Sequence, residues 1–389
     1  KEPQDSLVKY LSKNENKLSK DGKEIIEEQI GNLKYDPKQI DRGFMWKGIP
    51  LFTYTPDIGP LFGAGIILYK YGFRTPPYVY RMQLTAGYAP KKKGISGLLV
   101  DYKGIFYGII KGARTNLHLR KSGIEINNYF GYGNETNFSE SLEKSGYNKV
   151  EHEEYIFNPS IEFPANSKLK FTLGSLIKYF EVKEKDSSLL QLLKPYGIEK
   201  ISLLGLQAGF QVDGREHPAA PHKGYLFDVK AIYYPKVFNS QFQFGKVTAD
   251  LRYYLGAKTF TDISLGLRLK GEKIQGTFPF YESAFIGGLG SVRGFPSERF
   301  AGSSSLMGSA ELRIKLFKMS FLFPETVGMF LFGESGRVFV KNDDSKLWHT
   351  GYGGGLFMHV VNRDITFSLA AGKSKEQKLL FYFYTGFGF

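Results

Sequence analysis

From about Leu61 to Phe389 the chain alternates between apolar and polar residues with a period of two, segment after segment. A strand turns successive side chains to opposite faces, so this period demands sheet and forbids amphipathic helix. Residues 246–255, KVTADLRYYL, place Val247, Ala249, Leu251, Tyr253 and Leu255 on one face and Lys246, Thr248, Asp250 and Arg252 on the other. In 261–269 the faces are Ile263, Leu265, Leu267 and Leu269 against Asp262, Ser264, Gly266 and Arg268. The polar face carries charges of both signs.

About sixteen such segments can be counted, near 61–72, 78–88, 95–104, 112–121, 123–131, 153–163, 167–181, 200–212, 224–235, 242–254, 259–269, 303–316, 326–340, 351–361, 364–373 and 379–389. An even number of ten-residue alternating strands predicts an all-β, 16-stranded antiparallel transmembrane barrel. A water-soluble sandwich has the same period but packs its apolar faces inside, and alternation alone does not choose between them. No uncharged apolar run approaches the length of a membrane helix, so helical spans are excluded.

Connection lengths favour the barrel. If the strand at 61–72 leaves the periplasm, the long connections 132–152, 181–200, 270–302 and 340–351 all fall outside. APKKKG (89–94), PANS (164–167), GAK (256–258) and VNRD (361–364) are then short periplasmic turns, the usual asymmetry of such barrels. Residues 213–223 are the one longer connection on the inner side. The final FYFYTGFGF places Phe381, Phe383, Phe387 and Phe389 on one face, which suits a lipid-facing closing strand and would invite aggregation in water.

The first 46 residues read as a charged leader. Residues 1–42 hold nine Lys/Arg against nine Asp/Glu, with Ile25, Ile26, Ile30 and Leu33 near helical spacing. That composition suits one or two short amphipathic helices or a partly disordered segment. The barrel is placed at 47–389.

The net charge of +14 is dispersed among strands and not clustered in a basic arm, so the counter-charge it suggests is anionic lipid headgroups and not nucleic acid. No cysteine is present, which excludes disulfides and thiolate chemistry. His217 and His222 share a Pro-rich turn but lack a third metal ligand at a recognisable spacing. The glycine-rich YGGGLF (352–357) and FGYGNE (130–135) open no helix and make no phosphate cradle. Lys91 to Lys93 read as a solvated turn tip. Spacing singles out no catalytic constellation, and no cofactor is predicted.

The stretch least like its surroundings is 278–302, FPFYESAFIGGLGSVRGFPSERFAG. Gly287, Gly288, Gly290 and Gly294 with Pro279 and Pro296 rule out a strand interior, and loops of this length in a compact protein tend to be functional. AFIGGLGSVRGF (284–295), preceded by PFYES and followed by GSAELRIK (308–315), resembles the sixth outer loop and next strand of the BamA/TamA superfamily of barrel insertases. LFGESGRV (331–338) is similar to that family's Phe-x-Asp-x-Gly strand motif, with Glu334 in place of Asp. DGREHPAAPHKG (213–224) resembles the family's inner turn between its eighth and ninth strands, which accounts for the one long inner connection.

The resemblance spans about 50–389 and implies a location in the outer membrane of a diderm bacterium. It also implies that Val292, Arg293, Gly294 and Phe295 fold into the lumen, with Glu334 and Glu311 as carboxylate partners of Arg293. Phe330, Phe332 and Glu334 share one face of their strand, and a lumenal guanidinium needs a carboxylate to offset its desolvation. Phe383, Phe387 and Phe389 resemble the carboxyl-terminal signal by which such barrels are assembled. The implied function is insertion of other barrel proteins or export of a passenger through a seam between strands 61–72 and 379–389. Implied partners are outer-membrane lipid including lipopolysaccharide, client barrels or an attached passenger, and other assembly-complex subunits. Family insertases carry POTRA domains upstream, for which residues 1–46 are too short. FRTPPYVYRMQLTAGYA (73–89) and YFGYGNET (129–136) resemble superfamily barrels fused to secreted enzymes. An excised barrel, a fusion barrel and a complete protein without POTRA domains all fit, and a passive channel or an anchor for a surface enzyme is the alternative function.

Overall fold

The computed structural model describes residues 43–389 apart from 73–76, 93–94, 127, 184–186, 259–260, 321–323, 361–362 and 364. The alternating segments close into one antiparallel barrel of sixteen strands. The first eight are β1 (Gly43–Thr55), β2 (Gly59–Tyr71), β3 (Tyr80–Lys92), β4 (Ile95–Tyr107), β5 (Arg114–Ser122), β6 (His152–Pro164), β7 (Leu169–Val182) and β8 (Ile201–Asp213). Then come β9 (Gly224–Tyr234), β10 (Phe244–Lys258), β11 (Asp262–Gly276), β14 (Ser304–Ser320), β15 (Pro324–Phe339), β16 (His349–Val360), β17 (Ile365–Ser374) and β18 (Leu380–Thr385). A small hairpin, β12 (Ala284–Ile286) with β13 (Phe300–Gly302), lies in the connection between β11 and β14. Two short helices, α1 (Glu140–Ser145) and α2 (Leu189–Leu193), sit in the long connections after β5 and β7.

Burial decides the question that periodicity leaves open. Leu251, Tyr253, Leu269, Leu331, Leu356, Leu369 and Phe381 are exposed, whereas Asp250, Ser309, Glu311, Arg313 and Ser368 on the alternate face are buried. Apolar residues outside and hydrogen-bonded charges inside is the arrangement a bilayer requires, because a closed barrel satisfies every strand group without water. Lumenal ion pairs then link neighbouring strands, as where Arg252 and Arg268 both bind the Asp250 carboxylate at 2.7 Å.

The structure corrects the strand list at two places. Gly43–Thr55 is a full strand paired along its length with β2, so residues 43–46, expected in the leader, are part of the barrel wall. The described residues of 123–131 form no strand, and among them Asn128 makes an isolated bridge to Lys149. The count of sixteen is unchanged, but the direction of β2 to β5 is reversed. APKKKG (89–94) therefore lies at the end of the long connections and not at the short-turn end. The remainder of the leader, residues 1–42, and the turn tip at 93–94 fall outside the described residues.

At the long-connection end an aromatic cluster caps the lumen. Phe180 stacks on Tyr281 at 3.8 Å, and Phe280 meets Tyr129 edge-on at 5.4 Å, with Leu190, Tyr234 and Phe244 packed around them. The cluster joins the walls β7 to β11 to the connections at 123–151 and 277–303. Because Phe280 is fully buried, Phe280→Ala is expected to cost about 3 to 5 kcal/mol. Temperature-dependent gel mobility of the folded barrel measures this, and an unchanged transition would show that the cap adds little stability.

Candidate functional site

The connection of residues 277–303 folds back into the barrel and is fastened to it in three places. The first is at its start. The Glu282 carboxylate accepts from Lys178 Nζ of β7 at 2.7 Å and lies 3.7 Å from Lys246 Nζ of β10. Burial would raise the Glu282 pKa, but the two ammonium groups outweigh it and hold the carboxyl below its usual range.

The second fastening is the candidate site itself. Gly287 and Gly288 take positive φ, and a Cβ on Gly287 would lie 2.4 Å from Pro296 O, so the hairpin closes tightly only with glycine there. Val292 and Phe295 are buried with Ile286, Phe300, Met307 and Val338, which drives the tip inward. Between them Arg293, fully buried, meets the wall of β14, β15 and β18. Its Nε donates to Glu334 Oε1 at 2.9 Å and its Nη2 to the same oxygen at 2.6 Å, while its backbone N–H donates to Glu334 Oε2 at 2.6 Å. Nη2 also donates to Glu311 Oε2 at 2.9 Å, and Nη1 to the Tyr384 hydroxyl at 3.2 Å. The Phe332 ring lies beneath the guanidinium, 3.5 Å from its central carbon.

The longer Glu334 side chain lets one carboxylate serve both the backbone and the guanidinium of Arg293. Burial acts to lower the Arg293 pKa, but the charges of Glu334 and Glu311 prevail and raise it, so the group stays cationic. Gly294 has φ of 90° and its N–H donates to the Tyr382 hydroxyl at 3.1 Å. A Cβ there would come within 2.6 Å of the Lys373 backbone. The other side of the pocket is closed by the tail of the chain, where a Cβ on Gly388 would lie 2.8 Å from the guanidinium carbon.

Glu311 also ties this site to a second arginine. Arg313 Nε donates to Glu311 Oε1 at 2.9 Å, and its guanidinium lies over the Phe387 ring at 3.8 Å. The remaining donors of Arg313 reach Phe389 O at 3.1 Å and Pro221 O, in the turn 214–223, at 3.4 Å. His217 and His222 belong to this turn; His217 Nδ1 accepts from Ala220 N–H at 3.2 Å.

The third fastening joins the loop to the long-connection end. Asp57, in the turn after β1, accepts from Ser297 N–H at 2.9 Å and from Asn128 Nδ2 at 2.8 Å. Arg299 is buried among Phe130, Phe138 and Phe300 and donates to Thr136 O at 2.7 Å. Behind it, His349 stacks on Phe300 at 3.5 Å.

The structure thus brings Arg293, Glu334, Glu311 and Phe332 into one contact set. It moves the carboxyl-terminal aromatics apart. Phe381 and Phe383 stay on the outer face, but the positive φ of Gly386 ends β18, and Phe387 and Phe389 turn into the lumen against Phe330, Phe357 and Tyr254. The period-two pattern runs on through 386–389 in sequence, yet the backbone does not follow it. Tyr382, Tyr384, Arg313, Gly388 and Asp57 are participants that sequence reasoning missed. For the tyrosines a signal existed, since hydroxyl-bearing rings alternate with phenylalanines in FYFYT.

The sequence profile of the Omp85 superfamily domain matches residues 115–389. No curated protein sequence matches the chain. Among solved structures, BamA from Haemophilus ducreyi lacking POTRA domains 1–3 aligns with a TM-score of 0.60 and 14% identity, covering 89% of this chain and 70% of that one. CdiB from Escherichia coli aligns with a TM-score of 0.59 and 14% identity, over 88% of this chain and 62% of that one. CdiB from Acinetobacter baumannii gives 0.55 and 14%, over 87% of this chain and 59% of that one. The chain therefore spans about three fifths of the CdiB chains it matches.

Removing one partner of a buried pair strands the other, so Arg293→Ala is expected to destabilise the docked loop by about 3 to 5 kcal/mol. Glu334→Ala should do similar damage, and the double variant should cost about 1 to 3 kcal/mol less than the sum. Limited proteolysis within 277–303 of the detergent-solubilised barrel provides the measurement. Effects additive to within about 0.5 kcal/mol would exclude an energetic pairing.

Proposed function

Since the chain belongs to the Omp85 superfamily and forms an outer-membrane barrel, we propose that it inserts client barrel proteins or exports a passenger polypeptide through the seam between β1 and β18. The observation that carries this reading is the register at closure. β1 and β2 share thirteen residue pairs, and β17 and β18 share six. Across the seam the described residues hold a single pair, Tyr54 with Phe383, supported by Thr53 Oγ1 donating to Phe383 O at 2.8 Å.

The reason for the short seam lies in β18. It is six residues long and stops where Gly386 bends the chain inward, whereas β1 runs for thirteen. Among the described residues, most of the β1 edge facing the seam is therefore left without a strand partner. In hydrocarbon each unpaired backbone group costs several kcal/mol, and an extended client segment relieves that cost by adding as a strand. Opening needs little disruption, and closure on a client is favourable.

The docked loop suits the same work. It braces β14, β15 and β18 from inside, so a seam opening between β18 and β1 leaves the rest of the wall in place. On this reading the strand residues Phe381 and Phe383 and the inward Phe387 and Phe389 also mark the barrel for its own assembly. The chemistry is strand exchange and not catalysis, and its partners are client or passenger chains within outer-membrane lipid.

Cysteines at Tyr54 and Phe383 test the seam in a chain that has no other cysteine. The two residues are direct cross-strand partners, a separation that a disulfide can bridge. The oxidised double variant is expected to keep the heat-modifiable mobility of a folded barrel. It should lose most client assembly or passenger export in cells that depend on this chain, with recovery on reduction. Full activity in the oxidised state would exclude a lateral route.

A further inference from the structure

The wall that carries Glu334 has a hollow on its membrane side. Register aligns Leu269 of β11, Gly308 of β14 and Ser335 of β15 in one row, and Leu267, Ala310 and Gly333 in the next. In both rows the two central strands present Gly, Ala or Ser, flanked by Leu269 and Leu267 of β11 on one side and by Thr350 and Tyr352 of β16 on the other. The outcome is an outward cavity of about 640 Å³, bounded by Leu251 and Tyr253 of β10 on one side and Tyr352 of β16 on the other.

Nothing within the protein requires glycine at these points. Gly308 and Gly333 have ordinary φ, a Cβ on Gly333 would meet nothing within 4 Å, and one on Gly308 would meet only Arg268 O at 3.9 Å. Glycine inside a strand weakens it, so both positions keep space open at a cost to the sheet. One row towards the short-turn end, Leu312 and Leu331 pair and close the hollow.

Towards the long-connection end the surroundings change to cations. Arg337 follows Ser335 on the outward face of β15, with its guanidinium over Phe339 at 4.7 Å and Trp348 at 6.0 Å. Lys273 lies exposed on β11, two strands away and level with Phe339, one row nearer the long-connection end than Arg337. Of the acids nearest in sequence, Glu272 and Glu334 take part in lumenal ion pairs with Lys246 and Arg293, while Asp343 accepts from Ser345 N–H in the segment whose Ser345 carbonyl Arg337 meets. An apolar trough leading to cations among interfacial aromatics matches an acyl chain beneath an anionic headgroup. Long loops mark the outer leaflet. Two cations on separate strands favour a headgroup with more than one phosphate over a single phosphodiester.

We propose that this hollow holds an acyl chain of a phosphorylated glycolipid of the lipid A type, with phosphate against Arg337 and Lys273. The site does not depend on the seam, so it can fail or stand independently of the insertion reading. The test is native mass spectrometry of the full barrel purified in detergent, titrated with diphosphoryl lipid A, its dephosphorylated form, phosphatidylglycerol or phosphatidylethanolamine.

The parent should hold one lipid A in preference to each of the other three by at least fivefold. Gly333→Leu, whose Cβ meets nothing within 4 Å, should fill the hollow and weaken lipid A binding at least tenfold while the barrel keeps its heat-modifiable mobility. Ala310→Leu provides the same test should Gly333→Leu fail to fold. Arg337→Gln should abolish the difference between the phosphorylated and dephosphorylated forms. Unchanged lipid A binding in a folded groove-filling variant overturns the site, and equal or tighter binding of phosphatidylglycerol overturns the occupant.

Discussion

A guanidinium buried without solvent is unaffordable unless its charge and its donors are met, and the inner architecture of this barrel is arranged around meeting them for Arg293. Glu334 and Glu311 supply the charge, Tyr384 a hydroxyl and Phe332 an aromatic face, from the neighbouring strands β14 and β15 and from the final strand β18. No one of these groups would suffice. Their convergence fixes the height of the loop tip in the lumen, the rotation of β15 that points Glu334 inward, and the position of the tail beneath it.

Much of this could be read in the residues. Alternation from Leu61 onward gives the strands, and the unequal connections give the barrel. The motif around Arg293 identifies the loop, and the face shared by Phe332 and Glu334 indicates the wall it meets. What the pattern hid has definite physical causes. The first strand, GFMWKGIPLFTYT, is apolar on both faces and holds Pro50, so it shows no alternation. Residues 123–131 do alternate, but Ile124, Tyr129 and Phe130 are buried under the loop end and not along a ladder. The carboxyl-terminal phenylalanines keep a strand period after Gly386 has ended the strand. Asp57 left no trace, since one aspartate in a turn looks like any other.

The barrel is unevenly reinforced. From β7 round to β18 the wall is held from inside by the loop, the inner turn and the tail, through Lys178, Lys246, Glu311 and Arg313. At the junction of β18 with β1 the ladder shrinks to one pair. Asp57 stands directly after β1 and also holds Ser297, so the weakest junction and the docked loop share a residue. Stiffness and compliance are placed side by side.

The seat of Gly388 against the Arg293 guanidinium has a bearing on the order of events in biogenesis. The pocket lacks the Tyr384 hydroxyl until β18 arrives and lacks a lid until residues 386–389 turn inward, about ninety residues after the arginine in the chain. A cation left in the lumen before then has carboxylates but no enclosure, and loop closure over that span is entropically slow. The seat of Arg293 is therefore complete only when the last strand is in the sheet, whereas the fastenings at Glu282 and Ser297 need no residue of β18.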